Sequence, residues 1–155
     1  MPTLPQQFLA AMRRFASAVT VVTTHDGTRD YGLTVTSFCS VSLEPTLILI
    51  CVDRDATGHN ALIESTGFAV NLLSADQSEL SEKFGDVELN NKERFDGVSI
   101  TRAKDEIPIL AGTSCALVCA PWRIYDGGDH SIIVGEVSEI ALDEAKLPLL
   151  YHDRH

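Results

Sequence analysis

Residues 46–52 read TLILICV, and only the first side chain of this run is strongly polar. Successive side chains of a β-strand point to opposite faces of its sheet, so a strand that is apolar on both faces has to be covered on both. We therefore expect this strand at the centre of a closed or covered sheet. The chain has 155 residues, of which 45% are hydrophobic, and this is enough apolar material for one such core. We expect a single domain over residues 1–155.

The segments around this run predict further strands joined by tight turns. Residues 18–42 contain β-branched runs on either side of Asp26-Gly27, a dipeptide typical of hairpin turns. Pro121 predicts a bulge or a sheet edge, because proline cannot donate a ladder hydrogen bond. The other expected strands lie at residues 67–73, 98–102, 114–125, 130–142 and 147–152. Many short strands without a βαβ repeat predict a mainly β protein with short helices, folded as an antiparallel barrel.

Three short helices are expected among the strands. Apolar residues at helical spacing predict an amphipathic helix over residues 5–15, and a second helix is expected from about Thr57. A third is expected over residues 74–84, where Ser74 and Gln77 have the spacing of a capping box. The polar stretch that follows, residues 85–97, is expected to form a loop.

Residues 32–42, GLTVTSFCSVS, read as one strand with two unlike faces. One face would carry Leu33, Val35, Ser37, Cys39 and Val41, and the other Thr34, Thr36, Phe38, Ser40 and Ser42. Four hydroxyls on one face suit the solvated side of a sheet, and they suit the wall of a polar binding site equally well. The alternation by itself favours neither interpretation.

The charge of the chain excludes several classes of partner. The formal net charge is -10 and the sequence pI is about 4.8, so the long-range field repels nucleic acid and anionic membranes. No apolar run reaches the roughly 18 residues of a membrane span, and the first residues lack the pattern of a secretory signal. We expect a cytoplasmic protein without nucleic-acid or membrane partners.

The four cysteines predict neither a metal site nor a disulfide. They lie in apolar strand-like runs, and no two of them form a C-x-x-C pair. Buried free thiols are the expected state. These residues are Cys39, Cys51, Cys115 and Cys119.

The sequence also lacks the common catalytic and nucleotide-binding motifs. It has no G-x-G-x-x-G after a strand, no P-loop, no G-x-S-x-G nucleophile elbow and no H-E-x-x-H zinc helix. If the protein is an enzyme, a bound organic cofactor is therefore expected to supply the chemistry, with the chain supplying position and electrostatics.

Two local features point to ligand chemistry. The apolar run ends in DRDAT and a helix, where backbone amides, the Thr57 hydroxyl and Arg54 suit an anion. Thr57 also suits a plain helix cap, and Asn60 suits a surface position, so both interpretations stay open. His130 follows Gly-Gly-Asp at the start of a strand, a place where a lone histidine is more often a surface or core residue.

Several segments together resemble a known family. They are FASAVTVVTT, YGLTVTSFCSVSLEPTLILICVDRDATGHNALIESTGFAVNLL, FDGV, GGDHSIIVGEV and PLLYHDRH. In this order, from about Phe8 to His155, they resemble the flavin reductase-like family, whose fold is the FMN-binding split barrel. The chain is most similar to short-chain NAD(P)H:flavin oxidoreductases that supply reduced flavin to two-component monooxygenases.

The resemblance implies a cofactor, a hydride donor and a set of site residues. The cofactor would be FMN or FAD, the donor NADH or NADPH, and the active unit a homodimer that passes reduced flavin to a monooxygenase. His130 would be the catalytic residue on the nicotinamide side, with Tyr151 nearby, and no metal is implied. The implied flavin-binding residues are Thr36, Ser37, Phe38, Cys39, Ser40, Cys51, Val52, Asp53, Arg54, Ala56, Thr57, Asn60, Lys83 and Phe84.

The chain departs from the family pattern at two positions. Ala56 stands where many relatives have serine, so one hydroxyl donor of the implied phosphate loop is missing. The chain stops at His155, where relatives commonly continue with an aromatic residue, so we expect an incomplete C-terminal cover over the pocket.

Three other functions stay open at this stage. The first is a pyridoxamine phosphate oxidase-like flavoenzyme on the same barrel, which would not reduce free flavin with NADH. The second is a flavin-binding or carrier protein, which would bind FMN without turnover. The third is a structural or interaction module, which would have no flavin affinity.

Overall fold

The computed structural model describes residues 1–152, so the expected incomplete cover near His155 lies outside the described residues. The helices are α1 Leu4–Met12, α2 His59–Glu64, α3 Ser78–Gly85 and α4 Asn91–Phe95. The strands are β1 Ser17–Ala18, β2 Thr20–His25, β3 Asp30–Val35, β4 Phe38–Ser42, β5 Leu47–Asp53, β6 Phe68–Leu72, β7 Ile100–Arg102, β8 Pro108–Leu110, β9 Cys115–Gly127, β10 His130–Leu142 and β11 Leu150–Tyr151. Within residues 1–152, no helix has the length and apolar character to cross a membrane.

Seven of the strands form one antiparallel sheet in the order β3-β2-β6-β9-β10-β5-β4. Its two edge strands, β3 and β4, are consecutive in the chain and are joined only by Thr36 and Ser37. Two residues span at most about 7 Å, so the sheet has to curl until its edges nearly meet. The predicted antiparallel split barrel is confirmed.

Strands β9 and β10 form the longest hairpin of this sheet, with 13 residues in each strand. Gly128 closes the turn with φ +76, a backbone conformation that glycine adopts without steric cost. The register shifts between Val134 and Gly135, so Trp122 is left without a partner directly after Pro121. The bulge predicted at Pro121 is confirmed, and so are the bounds predicted for β10.

The apolar run at residues 46–52 forms β5, whose position differs from the one expected. Leu47, Ile48, Ile50 and Val52 are buried in the barrel, but Leu49 and Cys51 are only half-buried. The strand lies second from the sheet edge, between β10 and β4, rather than at its centre. The half-covered face of β5 borders the cavities described below.

The expectation of one continuous strand over residues 32–42 is wrong. The chain bends at Thr36 and Ser37, where the Phe38 amide donates to the Thr36 carbonyl oxygen (3.0 Å). The alternation of β3 therefore does not continue into β4, and the four hydroxyls do not share one face. Ser40 pairs with Ile48 on an edge strand, while Thr34 donates to the Ser81 carbonyl oxygen (2.7 Å).

Three expectations about the helices are also wrong. The N-cap of α2 is Gly58 rather than Thr57. Helix α3 begins four residues later than expected, because the Ser74 hydroxyl donates to the Gly112 carbonyl oxygen (2.9 Å) instead of capping a helix. The stretch expected to be a loop contains α4, which starts with a complete capping box between Asn90 and Glu93.

All four cysteines are free thiols, as predicted, but their burial differs from the expectation. Cys119 is buried in the barrel, and this burial raises the pKa of its thiol to about 12. Cys51 and Cys115 are half-buried, and Cys39 is exposed because it lies on the edge strand β4.

Candidate active site

An open cavity of about 510 Å³ lies where the two edges of the sheet approach each other, and we call it the barrel cleft. Its walls come from the β3–β4 link, the end of β5, the loop before α2, the end of α3 and the start of β10. The lining residues are Leu33–Ser37, Cys51–Asp53, Asp55–Thr57, Phe84, Gly85, Val87, Arg94 and His130. Its size falls within the ~300–1,000 Å³ typical of small-molecule sites.

Three hydroxyls of the barrel cleft have no internal partner. Among residues 1–152, the side chains of Thr36, Ser37 and Thr57 make no hydrogen bond, although the chain bonds other hydroxyls of this region. The backbone of the β3–β4 link, unlike these hydroxyls, does make an internal hydrogen bond. The Ser37 carbonyl oxygen accepts from the Cys51 amide (3.0 Å). The hydroxyls are therefore free to bind a ligand in the cleft.

The loop between β5 and α2 contributes Asp55, Ala56 and Thr57 to the same cleft. The Asp53 side chain accepts from the Asp55 amide (2.8 Å), and the Asp53 carbonyl oxygen accepts from the Ala56 amide (3.0 Å). These bonds fold the loop into a tight turn that leaves the amides of Thr57 and Gly58 without a partner among residues 1–152. Two free amides beside a free hydroxyl form a set of donors suited to an anion.

The strongest charge at the cleft is Arg94 on α4, which the sequence reasoning did not single out. Its side chain is 6% exposed, and it donates to the carbonyl oxygens of Gly32 (2.9 Å) and Asp86 (2.8 Å). Its Nε is buried without a partner among residues 1–152. Burial lowers the pKa of Arg94, but a guanidinium stays protonated at neutral pH. The cleft therefore has a buried cation that hydrogen-bonds no carboxylate of the described part of the chain, residues 1–152.

Glycine at position 32 allows α3 to pack closely against β3. An added Cβ there would lie 2.6 Å from Cε1 of Phe84, so α3 could not pack against β3 at this distance. The amide of Gly32 donates to Asn91 Oδ1 (3.0 Å), and its carbonyl oxygen accepts from Arg94. Both backbone groups of this residue thus fix α4 against the barrel.

His130 lies directly after the β9–β10 turn and is paired with Asp53 at the end of β5. Its side chain is 38% exposed, and Nδ1 donates to Asp129 Oδ1 (2.7 Å). This hydrogen bond from His130 lowers the pKa of the Asp129 carboxyl group. Because Nδ1 is engaged, Nε2 is the ring nitrogen available to a ligand, and it has no partner among residues 1–152.

A second open cavity, of about 640 Å³, adjoins the first, and we call it the N-terminal groove. It shares Thr36, Ser37, Cys51 and His130 with the barrel cleft, so the two form one continuous depression. Its other walls are mostly apolar: Phe8, Leu9, Met12, Arg13, Phe15, Ser17, Phe38, Cys39, Leu49 and Tyr151. His130 lies where the polar cleft opens into this apolar groove.

The structure brings most of the expected site residues to these two cavities. The barrel cleft contains Thr36, Ser37, Cys51, Val52, Asp53, Ala56, Thr57, Phe84 and His130, and the N-terminal groove adds Phe38, Cys39 and Tyr151. Four expected residues lie elsewhere. Ser40 is on the outer strand β4, Asn60 lines a separate cavity, and Lys83 donates to the Asp96 carbonyl oxygen.

Arg54 is the fourth of these residues, and it points to the β9–β10 turn. Its Nε donates to the Gly128 carbonyl oxygen (2.9 Å), and its Nη2 pairs with the Asp126 carboxylate. It does not line the barrel cleft. Within residues 1–152, no cluster of three or more histidine, cysteine, aspartate or glutamate side chains is arranged to hold a metal ion.

The sequence model of one protein family matches most of this chain. The family described as "Flavin reductase like domain" matches residues 12–155. The chain belongs to the flavin reductase-like family. The FMN reductase (NADH) SmoA of Agrobacterium fabrum is 38% identical over 136 residues, which is 88% of this chain and 76% of that protein. The reductase component of 4-hydroxyphenylacetate 3-monooxygenase of Thermus thermophilus is 36% identical over 151 residues, 97% of this chain and 94% of that protein.

Solved structures of flavin reductases share the fold. The NADH:FAD oxidoreductase SgcE6 of Streptomyces globisporus, in complex with NAD and FAD fragments, is 36% identical and has a TM-score of 0.92. The similarity covers 100% of this chain and 92% of that chain. The split barrel of this protein is therefore the flavin reductase fold over the whole of the aligned length.

Proposed function

We propose that this flavin reductase-like protein reduces FMN or FAD with NADH or NADPH. The single observation that carries the proposal is the barrel cleft, where three hydroxyls, the two amides of the adjoining loop and Nε of the buried Arg94 have no hydrogen-bond partner among residues 1–152. All of these groups are donors or cations. A flavin nucleotide offers what they require, since its ring carries carbonyl and nitrogen acceptors and its side chain carries a phosphate.

The residues of the two cavities would contact different parts of the flavin and of the nicotinamide nucleotide. Thr57, the free amides of its loop and Arg94 would hold the phosphate, and Thr36 and Ser37 would donate to the polar edge of the ring. Nε2 of His130 would orient the nicotinamide nucleotide or assist protonation at the mouth of the N-terminal groove. A bound flavin supplies the hydride acceptor at N5, so the protein itself needs no nucleophile.

A steady-state assay tests this function. We expect the purified protein to oxidise NADH when FMN or FAD is added, and to be slower with riboflavin, which lacks the phosphate that the cleft would bind. Absorbance at the nicotinamide band gives the rate, and a parallel series with NADPH ranks the donors. The name of SmoA includes NADH, and this favours NADH as the donor here. FMN binding without NADH oxidation would contradict reductase activity and leave a flavin carrier, and absence of flavin binding would contradict both.

Reduced flavin is proposed to pass to a monooxygenase. Relatives named as reductase components support this partner, among them the Thermus thermophilus protein. The barrel cleft is open to solvent, so a reduced flavin could leave it without a large rearrangement. We place the protein in the cytoplasm, which the free thiols and the nicotinamide donor support, and treat residues 1–155 as one domain.

A homodimer is proposed to cover the N-terminal groove. Helix α1 buries none of its residues, and Phe8, Leu9 and Phe15 are each more than half exposed. Such a contiguous apolar surface is typical of an interface. A second copy packed there would also enclose His130, which the groove shares with the barrel cleft.

We expect sedimentation equilibrium to give about twice the chain mass of 16.9 kDa. The Phe8→Glu variant should dissociate more readily, because a carboxylate would have to be desolvated in an apolar contact. Leu147→Glu is the matched control, since Leu147 is exposed and lines neither cavity. A monomeric wild-type protein, or equal dissociation of both variants, would contradict this interface.

A further inference from the structure

Arg54, the first residue after β5, bonds the turn that leads into His130. His130 begins β10 and pairs with Asp53, the last residue of β5. The bonding between these two strands continues one residue further, because the Arg54 amide donates to the Asp129 carbonyl oxygen (3.0 Å). The side chain of Arg54 also reaches the turn, where Nε donates to the Gly128 carbonyl oxygen (2.9 Å). Arg54 therefore bonds both central residues of the β9–β10 turn.

These two bonds hold both peptide groups that flank Asp129. Gly128 and Asp129 form a two-residue hairpin loop in which only Gly128 has a positive φ, as in a type II′ turn. Type I′ and type II′ loops differ in the orientation of their central peptide group. The oxygen of that peptide group belongs to Gly128, and the oxygen of the next one belongs to Asp129, so Arg54 fixes the orientation of each. The second peptide group contains the backbone nitrogen of His130, so the start of β10 is fixed with it.

The orientation of the imidazole depends on this backbone. Nδ1 of His130 donates to Asp129 Oδ1 (2.7 Å), a contact between neighbours in the chain. The geometry of such a contact is set by the backbone angles of the two residues, because their side chains start from adjacent Cα atoms. A rotation of the peptide group that joins them would move the carboxylate relative to the imidazole. The contacts of Arg54 thus extend, through the turn, to the ring of His130.

The β9–β10 turn has little else to hold it. Among residues 1–152, Arg54 is the only residue outside this hairpin that hydrogen-bonds to residues 126–129. Its third contact is the ion pair between Nη2 and the Asp126 carboxylate. Burial does not replace these contacts, since the side chains of Asp126 and Asp129 are 82% and 91% exposed. Exposed segments with few contacts open most easily, so loss of the Arg54 side chain should loosen the turn first.

We propose that Arg54 is a positioning residue for the reductase reaction, which holds the β9–β10 turn so that His130 presents Nε2 to the nicotinamide nucleotide. The proposal rests on the proposed function, which places that nucleotide at His130. Arg54 lines neither the barrel cleft nor the N-terminal groove, so it would act without touching flavin or donor. Its replacement should therefore change the reaction with NADH and leave flavin affinity almost unchanged.

The test is a double-mutant cycle between Arg54 and His130. Arg54→Met removes the side-chain bonds to Gly128 and Asp126 and keeps the backbone bond to Asp129. Arg54→Lys is the conservative companion, because lysine keeps the positive charge but lacks the planar guanidinium that bonds two groups at once. Each variant is made in the wild-type chain and in His130→Ala, so that the coupling between the two residues is measured directly.

Arg102→Met is the matched control. Arg102 pairs with the Asp30 carboxylate and donates to the Glu106 carbonyl oxygen (2.8 Å), so it makes the same two kinds of bond as Arg54. Its side chain is 39% exposed, close to the 44% of Arg54, and it lines neither the barrel cleft nor the N-terminal groove. Its replacement should affect the Tm on a similar scale and leave the kinetics with NADH unchanged.

Steady-state oxidation of NADH gives kcat and KM, flavin titration gives the Kd for FMN and riboflavin, and a thermal melt gives the Tm. We expect Arg54→Met to lower kcat/KM for NADH by roughly 3 to 10-fold, the scale of one or two partly exposed hydrogen bonds. FMN affinity should stay within about 2-fold, and Arg54→Lys should lose less kcat/KM than Arg54→Met. In the His130→Ala chain, Arg54→Met should change kcat/KM by less than about 2-fold, because the residue through which it acts is absent.

An equal kinetic loss from Arg54→Met in both chains would overturn the positioning role and leave the reductase function standing. Wild-type kinetics in a folded Arg54→Met protein would do the same. A loss of affinity for FMN but not for riboflavin would also contradict the proposal, because Arg54 would then bind the phosphate itself. If Arg54→Met does not fold, the same cycle with Arg54→Lys decides. Failure of the wild type to oxidise NADH with any flavin would overturn the proposed function, and the positioning role with it.

Discussion

Replacing His130 by alanine should lower kcat/KM for NADH by ~10 to 100-fold, or about 1.4 to 2.7 kcal/mol of transition-state stabilisation. The imidazole lies where the barrel cleft opens into the N-terminal groove, and Nδ1 is engaged by Asp129 at 2.7 Å. Nε2 is therefore the ring nitrogen available to a ligand. The KM should rise, while flavin affinity stays close to that of the wild type, because the proposed phosphate donors are other residues of the cleft.

Stopped-flow reduction of the flavin-loaded variant by NADH, run beside a thermal melt, measures this effect. Asp129→Asn is the informative companion, since it keeps the imidazole and weakens only the hydrogen bond that orients it. We expect its kinetic loss to be smaller than that of His130→Ala. Wild-type reduction rates with a lowered Tm would show that His130 only stabilises the fold, and would contradict the nicotinamide role.

Replacing Arg94 by methionine should lower FMN affinity by ~10 to 100-fold, the range for a lost charge-assisted contact of about 1.5 to 3 kcal/mol. Riboflavin affinity should hardly change, because it has no phosphate. Methionine retains much of the side-chain volume and removes the buried cation. The FMN affinity of Arg94→Lys should lie between those of the wild type and Arg94→Met. Lysine keeps the charge but cannot donate to both Gly32 and Asp86.

A comparison with Arg54→Met tests whether Arg94 or Arg54 contributes more to FMN affinity. The family resemblance assigns the phosphate to Arg54, while the structure directs this side chain to Gly128 and Asp126. Titration of each folded variant with FMN and riboflavin, monitored by flavin fluorescence, ranks the two arginines. A larger loss in Arg54→Met would contradict our assignment to Arg94, and equal losses of FMN and riboflavin in Arg94→Met would indicate damage to the fold instead.

Local sequence patterns predicted the structural elements that depend on the backbone preferences of a few neighbouring residues. The Asp26-Gly27 turn and the bulge after Pro121 follow from backbone preferences of the residues themselves, and both occur where expected. The resemblance to a family placed Thr36, Ser37, Thr57 and His130 in one site, and the structure brings these four to one cleft.

The features that sequence reasoning missed depend on contacts distant in the chain. Arg94 is buried because its guanidinium reaches the carbonyl oxygen of Gly32, which is 62 positions away. Its polar surroundings in sequence indicate an exposed loop, and only the Asn90–Glu93 capping box signals a helix there. Likewise the break at Thr36 is set by closure of the whole barrel rather than by the preferences of residues 32–42.

The two-residue link at Thr36 and Ser37 joins the first and last strands of the sheet, and the barrel cleft lies over this junction. Edge strands have a hydrogen-bonded neighbour on one side only, so they belong to the parts of a protein that open with the least free energy. A ligand that contacts both edge strands at once would stabilise the closed barrel, because either edge could separate only after the ligand has dissociated. A flavin bound as proposed would therefore lie where the two edges of the sheet meet, and its binding would stabilise the closed barrel.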